Sequence, residues 1–89
     1  MSDTLGLLEE ARQLATDLGY VVREEALGDL PGGPCVIGGT THVLLNIAHP
    51  GAGRLDQLLR ALAGDARVAA EPKSHLLAAR LRATLAPGG

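Results

Sequence analysis

The stretch that decides the fold runs from residue 31 to residue 46 and reads PGGPCVIGGTTHVLLN. Two short, mostly apolar runs, 35–37 and 42–47, stand on either side of a Gly-Gly pair. Glycine adopts positive φ without steric cost, so such a pair between two apolar runs is typical of a tight hairpin turn. We therefore predict that 35–37 and 42–47 form a hairpin, which the chain enters through Gly32 and Gly33.

The same glycines do not fit a phosphate-binding loop. That loop needs Gly-x-x-x-x-Gly-Lys-Ser/Thr ahead of a helix, so that backbone amides and a lysine meet the phosphates. The run contains no lysine, and its glycines flank a predicted strand. A dinucleotide-binding fingerprint fails for the same reason, and the turn is favoured.

A helix and a further strand are predicted before the hairpin. Apolar residues recur at spacings of three and four from Leu5 to Leu18, with Ser2 or Asp3 as the cap and Gly19 as the end. The segment YVVREEAL then combines β-branched residues with charges, which suits an edge strand. We expect the three strands to pair in sequence order as an antiparallel meander.

Two helices are predicted after the hairpin. Leucines from Leu55 to Leu62 line one side of the first, a short extended piece follows at 65–70, and Pro72 suits the first turn of the second. The predicted fold class is α+β: an N-terminal helix, a three-stranded antiparallel meander and two C-terminal helices packed on one face. We expect a single domain over 1–86 and a flexible tail at 87–89.

The composition indicates a thin core. The chain has 89 residues, of which 46% are apolar, and Tyr20 is its only aromatic residue. Small domains often compensate for a thin core with disulfides, metals or oligomerisation. A single cysteine cannot form an internal disulfide, so we expect association with another chain, in the form of a homo-oligomer or a protein partner.

Charge is unevenly distributed along the chain. The net charge is −2, but residues 1–30 carry seven acids against two arginines, and residues 53–86 carry six bases against three acids. One interpretation is that the two regions form solvated faces of opposite charge. The other is that they associate with a charged partner or with a second copy. The candidate interaction residues are Val21, Arg23, Arg80 and Arg82.

Several other functions have weaker support. Arg80, Arg82, Lys73 and His75 give the last helix a basic character, but the chain lacks aromatic residues for base stacking, so nucleic-acid binding is not favoured. No run approaches the roughly 18 apolar residues of a membrane span, and the N-terminus does not resemble a signal peptide. With one cysteine, these features favour a cytoplasmic location.

Only three side chains offer an alternative, catalytic interpretation. Cys35, His42 and His49 are the residues from which a small metal- or ligand-dependent enzyme would be built. Structural zinc sites use close ligand pairs, which are lacking here, and a cysteine nucleophile needs a histidine base on the same face. We expect Cys35 to be a small buried core residue rather than a reactive one. Spacing does not decide whether Cys35 and His42 share a face. We predict no catalytic residue, no cofactor and no metal ligand.

The segment GGPCVIGGTTHVLLNIAHPGAGRLDQLLRALAG, residues 32–64, resembles a group of small uncharacterised bacterial proteins, and the resemblance extends over about residues 19–77. That group has Gly-Gly-x-Cys-x-(apolar)-x-Gly, then an apolar strand ending in Asn or Asp, then an Arg-led helix. More distantly, the order of elements is similar to the front part of IrrE-type metallopeptidases. Their zinc motif His-Glu-x-x-His would fall at 58–62, which here reads Leu-Leu-Arg-Ala-Leu. That resemblance implies a relative without catalytic residues.

Together these features predict a small non-catalytic cytosolic protein, regulatory or adaptor-like, that acts by protein–protein binding.

Overall fold

The computed structural model describes residues 4–30 and 32–85. The architecture is α+β, as predicted, and the predicted tail at 87–89 and the predicted caps Ser2 and Asp3 lie outside the described residues. The elements in chain order are α1 Thr4–Asp17, β1 Val21–Glu25, β2 Gly33–Ile37, β3 Thr40–Asn46, α2 Gly51–Ala63, a 3₁₀ helix Ala66–Ala70, and α3 His75–Leu85.

The three strands form a mixed sheet in the order β1-β3-β2. β2 and β3 form the predicted antiparallel hairpin, but β1 pairs with β3 in parallel, so the predicted antiparallel meander is wrong. β3 takes the centre because it is the strand with fully buried apolar side chains, Val43 and Leu45. After β1 the chain passes the end of β3 and reaches the opposite edge of the sheet, where β2 begins at Gly33.

The hairpin turn has the geometry that its glycines predict. Gly38 and Gly39 have φ of 57° and 82°, values that side chains other than glycine rarely adopt. A two-residue turn with positive φ at both positions matches the right-handed twist of the strands that it joins. Ile37 therefore pairs directly with Thr40, and this pairing fixes the register of the whole hairpin.

The core lies between one face of the sheet and the helices. α1 and α2 cover that face, and α3 packs against both helices. Leucine supplies most of the buried volume, since Tyr20, the chain's only aromatic residue, packs against the core but is only partly buried. The fully buried side chains include Val43 and Leu45 from the sheet, Leu55, Leu58, Leu59 and Leu62 from α2, and Leu77 from α3.

The start of α3 differs from the prediction. Pro72 precedes the helix, which begins at His75, and Ser74 provides the cap by accepting a hydrogen bond from the Leu77 N–H at 3.1 Å. The Ser74 hydroxyl and N–H also donate to the carboxylate of Glu10, at 2.6 and 2.7 Å. These contacts tie α3 to α1. The segment predicted as extended at 65–70 is the 3₁₀ helix, whose first turn is capped by Asp65.

Asn46 holds the crossing between β1 and β2. Its side chain is buried, with 1% of its surface exposed. Its amide donates to the Gly28 carbonyl at 2.9 Å, and its carbonyl accepts from the N–H groups of Leu27 and Ala48 at 3.4 and 3.0 Å. A polar side chain is tolerated here because it satisfies backbone groups that the crossing leaves without strand partners.

Candidate interaction surface

The sheet has one face that the helices do not cover, which we call the uncovered face. Val43 and Leu45 point toward the helices, so the alternation of a strand directs His42 and Leu44 the other way. Their register partners on the flanking strands lie on the same face. The uncovered face is formed by Val21, Arg23, Glu25, Cys35, Ile37, Thr40, His42 and Leu44.

Cys35 and His42 share this face, because they are direct register partners across the hairpin. Opposed residues on an antiparallel pair have Cβ atoms about 4.5–5.5 Å apart. Cys35 is nevertheless exposed, so the expectation that it is a buried core residue is wrong. The reason is its position on β2, an edge strand, with its side chain directed away from the helices.

His42 is half-buried, and its Nδ1 atom is buried with no hydrogen-bond partner among residues 4–30 and 32–85. His49 does not join it. Asn46 ends β3, and a strand rises about 3.3 Å per residue, which places Asn46 roughly 13 Å from His42 along the strand. His49 lies beyond Asn46, beside a shallow cavity of about 360 Å³ that Pro50 and Arg60 also line.

The structure therefore brings together two of the three residues of the alternative catalytic site. Within residues 4–30 and 32–85, no group of three or more His, Cys, Asp or Glu side chains is arranged to hold a metal ion. A cysteine nucleophile also needs a third group to orient its histidine, and the His42 Nδ1 atom lacks such a partner.

An ion pair borders the apolar part of the uncovered face. Arg23 and Glu25 are two residues apart on β1, so their side chains project on the same side and bond to each other. Both side chains remain accessible, with 47% and 39% of their surfaces exposed. Val21, on the same strand and the same face, is 40% exposed, and Ile37 on β2 is 52% exposed.

Glu24 points to the opposite side of β1, as the alternation of the strand predicts. Its carboxylate lies 2.6 Å from Arg12 of α1 and 3.5 Å from Arg54 of α2. One half-buried carboxylate thus bonds to two helices and fixes both against the edge of the sheet. The two arginines are 12 and 30 positions away from Glu24 along the chain, so local sequence patterns do not reveal this contact.

The candidate residues Arg80 and Arg82 are exposed on α3. They lie on the helical side of the molecule and do not adjoin the uncovered face, which carries Val21 and Arg23. Arg82 borders a cavity of about 380 Å³ between α2, the 3₁₀ helix and α3. The four candidate interaction residues therefore belong to two separate surfaces.

Tyr20 anchors the 3₁₀ helix to the end of α1. Its hydroxyl donates to the Asp65 carboxylate at 2.8 Å, and Arg67 donates to the same carboxylate at 2.7 Å. The bonds from the Arg67 side chain and backbone, and then that from Tyr20, hold the pKa of Asp65 well below its usual range. Burial, followed by the bond to Asp65, raises the pKa of Tyr20.

Comparison with known proteins yields no match: no protein-family model fits the chain, and neither a curated protein nor a solved structure is significantly similar to it. Both sequence resemblances therefore stay predictions. In the part of the chain that the structure describes, the helices are too short or too polar to cross a membrane.

Proposed function

We propose that this chain is a small, non-catalytic protein, regulatory or adaptor-like, that acts by binding protein, either a second copy of itself or another partner. The uncovered face of the sheet carries this proposal. A sheet with one solvated face usually places polar side chains there. Here Val21, Ile37, Leu44 and Cys35 share that face with its polar side chains.

The uncovered face mixes apolar side chains with polar and charged ones, as the surfaces by which proteins bind each other do. The apolar side chains of the uncovered face span all three strands, and the Arg23–Glu25 pair lies at one margin. The exposed side chains of this face, such as Val21 and Ile37, are also accessible to a partner without any rearrangement of the core.

Two alternatives are weaker. An enzyme would have to work with Cys35 and His42 alone, and stoichiometric zinc lost in a His42→Ala variant would favour it. A nucleic-acid-binding regulator would use Arg80 and Arg82 on α3, and its affinity would fall steeply with salt.

We further propose a cytosolic location. Cys35 is an exposed free thiol on the surface of the sheet. Reducing compartments keep such thiols unpaired, whereas oxidising ones promote disulfides.

The test compares two matched charge insertions. Val21→Glu places a carboxylate on the uncovered face, and Leu76→Glu does the same at an exposed apolar site on α3. We expect Val21→Glu to abolish either self-association, measured by light scattering at micromolar concentration, or capture of a partner by the immobilised protein. Leu76→Glu should retain both. A strict monomer that captures the same proteins with and without Val21→Glu contradicts the proposal.

A further inference from the structure

We propose that two copies of this chain join edge to edge through β1, in antiparallel orientation, to form one continuous six-stranded sheet. This inference rests on the proposed function, because it names a second copy as the protein that is bound. It is carried by the backbone pattern of β1 and by the charges that alternate along it.

The backbone of β1 has an open hydrogen-bonding edge. The Ile47 N–H donates to the Glu25 carbonyl at 3.0 Å, so the backbone groups of Glu25 face β3. Successive residues of a strand direct their backbone N–H and C=O groups to opposite sides. Val22 and Glu24 therefore direct theirs outward, away from β3. β1 lies at the edge of the sheet, where no described strand pairs with these groups.

The other edge of the sheet is less suited to pairing. The two-residue turn makes Ile37 and Thr40 a hydrogen-bonded pair, so the outward groups of β2 are those of Pro34 and Val36. Proline has no N–H, and this is one of the ways in which natural proteins protect an edge strand. Within β2, only Val36 is left to donate a hydrogen bond outward, whereas β1 has two donors.

Charge selects one register for the pairing of two β1 strands. With the two-fold axis at Glu24, Arg23 lies directly opposite Glu25 of the second copy, and Glu25 lies opposite Arg23 of the second copy. Opposite charges at facing positions stabilise strand pairs, and like charges destabilise them. If the register shifts by two residues, Arg23 lies opposite Arg23 of the second copy. If it shifts by two more, Arg23 lies opposite Val21 of the second copy.

The backbone pattern permits this register, and charge distinguishes it from the shifted ones. With the axis at Glu24, the two Glu24 residues form a hydrogen-bonded pair, for which their outward N–H and C=O groups are already oriented. The two Glu24 side chains would then lie near each other on the helical side. Each is already bonded to Arg12 and Arg54, so two guanidinium groups per carboxylate offset the repulsion.

The pairing would extend the uncovered face across two copies. A standard interface buries about 800 Å² on each partner, which a five-residue strand edge alone does not reach. We therefore expect a weak dimer that responds to salt, because the cross-strand ion pairs are exposed and screened. A continuous apolar face from two sheets would also be a broader surface for any additional partner.

A charge-exchange experiment tests this arrangement. Sedimentation velocity is measured over a range of concentrations for the wild type, Arg23→Glu, Glu25→Arg and the double variant. Each single variant places like charges opposite each other twice, and we expect at least about tenfold weaker dimerisation. The double variant restores both pairs and should recover the dimer. Arg80→Glu, which changes an exposed arginine on α3 in the same way, should dimerise like the wild type.

The outcomes separate this inference from the proposed function. Circular dichroism identifies any variant that does not fold, and the remaining single variant together with the double variant then decides the result. A dimer that survives both single charge changes but is lost in Arg80→Glu overturns the β1 pairing and leaves a protein-binding function. A wild type that stays monomeric overturns the pairing also, while Val21-dependent capture of another protein would still support the proposed function.

Discussion

Cys35 and His42 face each other across the β2–β3 hairpin, and both side chains lie on the uncovered face of the sheet. This relationship answers the question that spacing leaves open, and it assigns Cys35 to the surface. Exposure of Cys35 also means that the thiol contributes little to the core, in contrast to its neighbours on β3.

Cys35→Ser should therefore have little effect on stability. Substitutions at exposed sites usually change the free energy of unfolding by less than about 0.5 kcal/mol. Leu45→Ala, at a fully buried position of the adjacent strand, should cost about 2–5 kcal/mol because it leaves a cavity. Urea denaturation of both variants checks this. A Cys35→Ser variant as unstable as Leu45→Ala would place the thiol in the core.

Asn46 should be among the most sensitive polar positions. In Asn46→Ala, two backbone N–H groups and the Gly28 carbonyl lose their partner, and we expect a loss of about 2–4 kcal/mol in the free energy of unfolding.

Asn46→Asp distinguishes the hydrogen bonds that the Asn46 side chain accepts from the one that it donates. It keeps an acceptor for the N–H groups of Leu27 and Ala48 but brings a carboxylate against the Gly28 carbonyl. Hydrogen exchange of the Leu27 and Ala48 amides should be faster in Asn46→Ala than in Asn46→Asp. Equal exchange rates in the two variants would contradict the role of the Asn46 side chain as the acceptor for these two N–H groups.

Local spacing predicts much of the fold, because the three main helices and the hairpin depend on contacts between near neighbours. Leu55 to Leu62 repeat with the helical period, and Gly38 and Gly39 permit the turn. The position of β1 beside β3 depends instead on long-range pairing, which the composition of β1 does not specify. The same holds for the candidate surface, where Cys35 is exposed because the helices cover only the other face.

Local sequence patterns also do not predict side-chain contacts between residues that are far apart in the chain. Tyr20 and Asp65 are separated by 45 positions, and only the completed fold shows that they bond. Pro72 is a frequent first-turn residue, but Ser74 caps α3 because its hydroxyl can bond both the helix and Glu10.

Two glycines should respond in opposite ways to alanine. A Cβ atom at Gly32 would overlap the backbone carbonyl of Leu44, so Gly32→Ala should cost roughly 1–3 kcal/mol through strain. Gly6 lies in α1 with open space around it, and Gly6→Ala should stabilise the protein by roughly 0.5–1 kcal/mol. Thermal unfolding distinguishes them, and a neutral Gly32→Ala would contradict the close approach of residue 32 to β3.

Asp65 should make stability depend on acidic pH. Its pKa in the folded state lies below the unfolded value of about 3.9, so its contribution is present above that value and is lost as the pH falls below it. Asp65→Asn should lower the stability at neutral pH and give a shallower decline in acid. Tyr20→Phe removes one of the hydrogen bonds to Asp65. Its decline in stability in acid should lie between those of the wild type and Asp65→Asn. Acid profiles that are parallel for all three proteins would contradict this network.

The central claim is that the uncovered face of the sheet, with its β1 edge, is where this chain binds protein. Hydrogen–deuterium exchange measures this most directly. The exchange rates are compared between dilute protein and protein that is associated with itself or with a captured partner. We predict that association slows exchange in β1, including the amides of Val22 and Glu24, and leaves α3 unchanged. Protection confined to α3, around Arg80 and Arg82, or no protection anywhere, would contradict the claim.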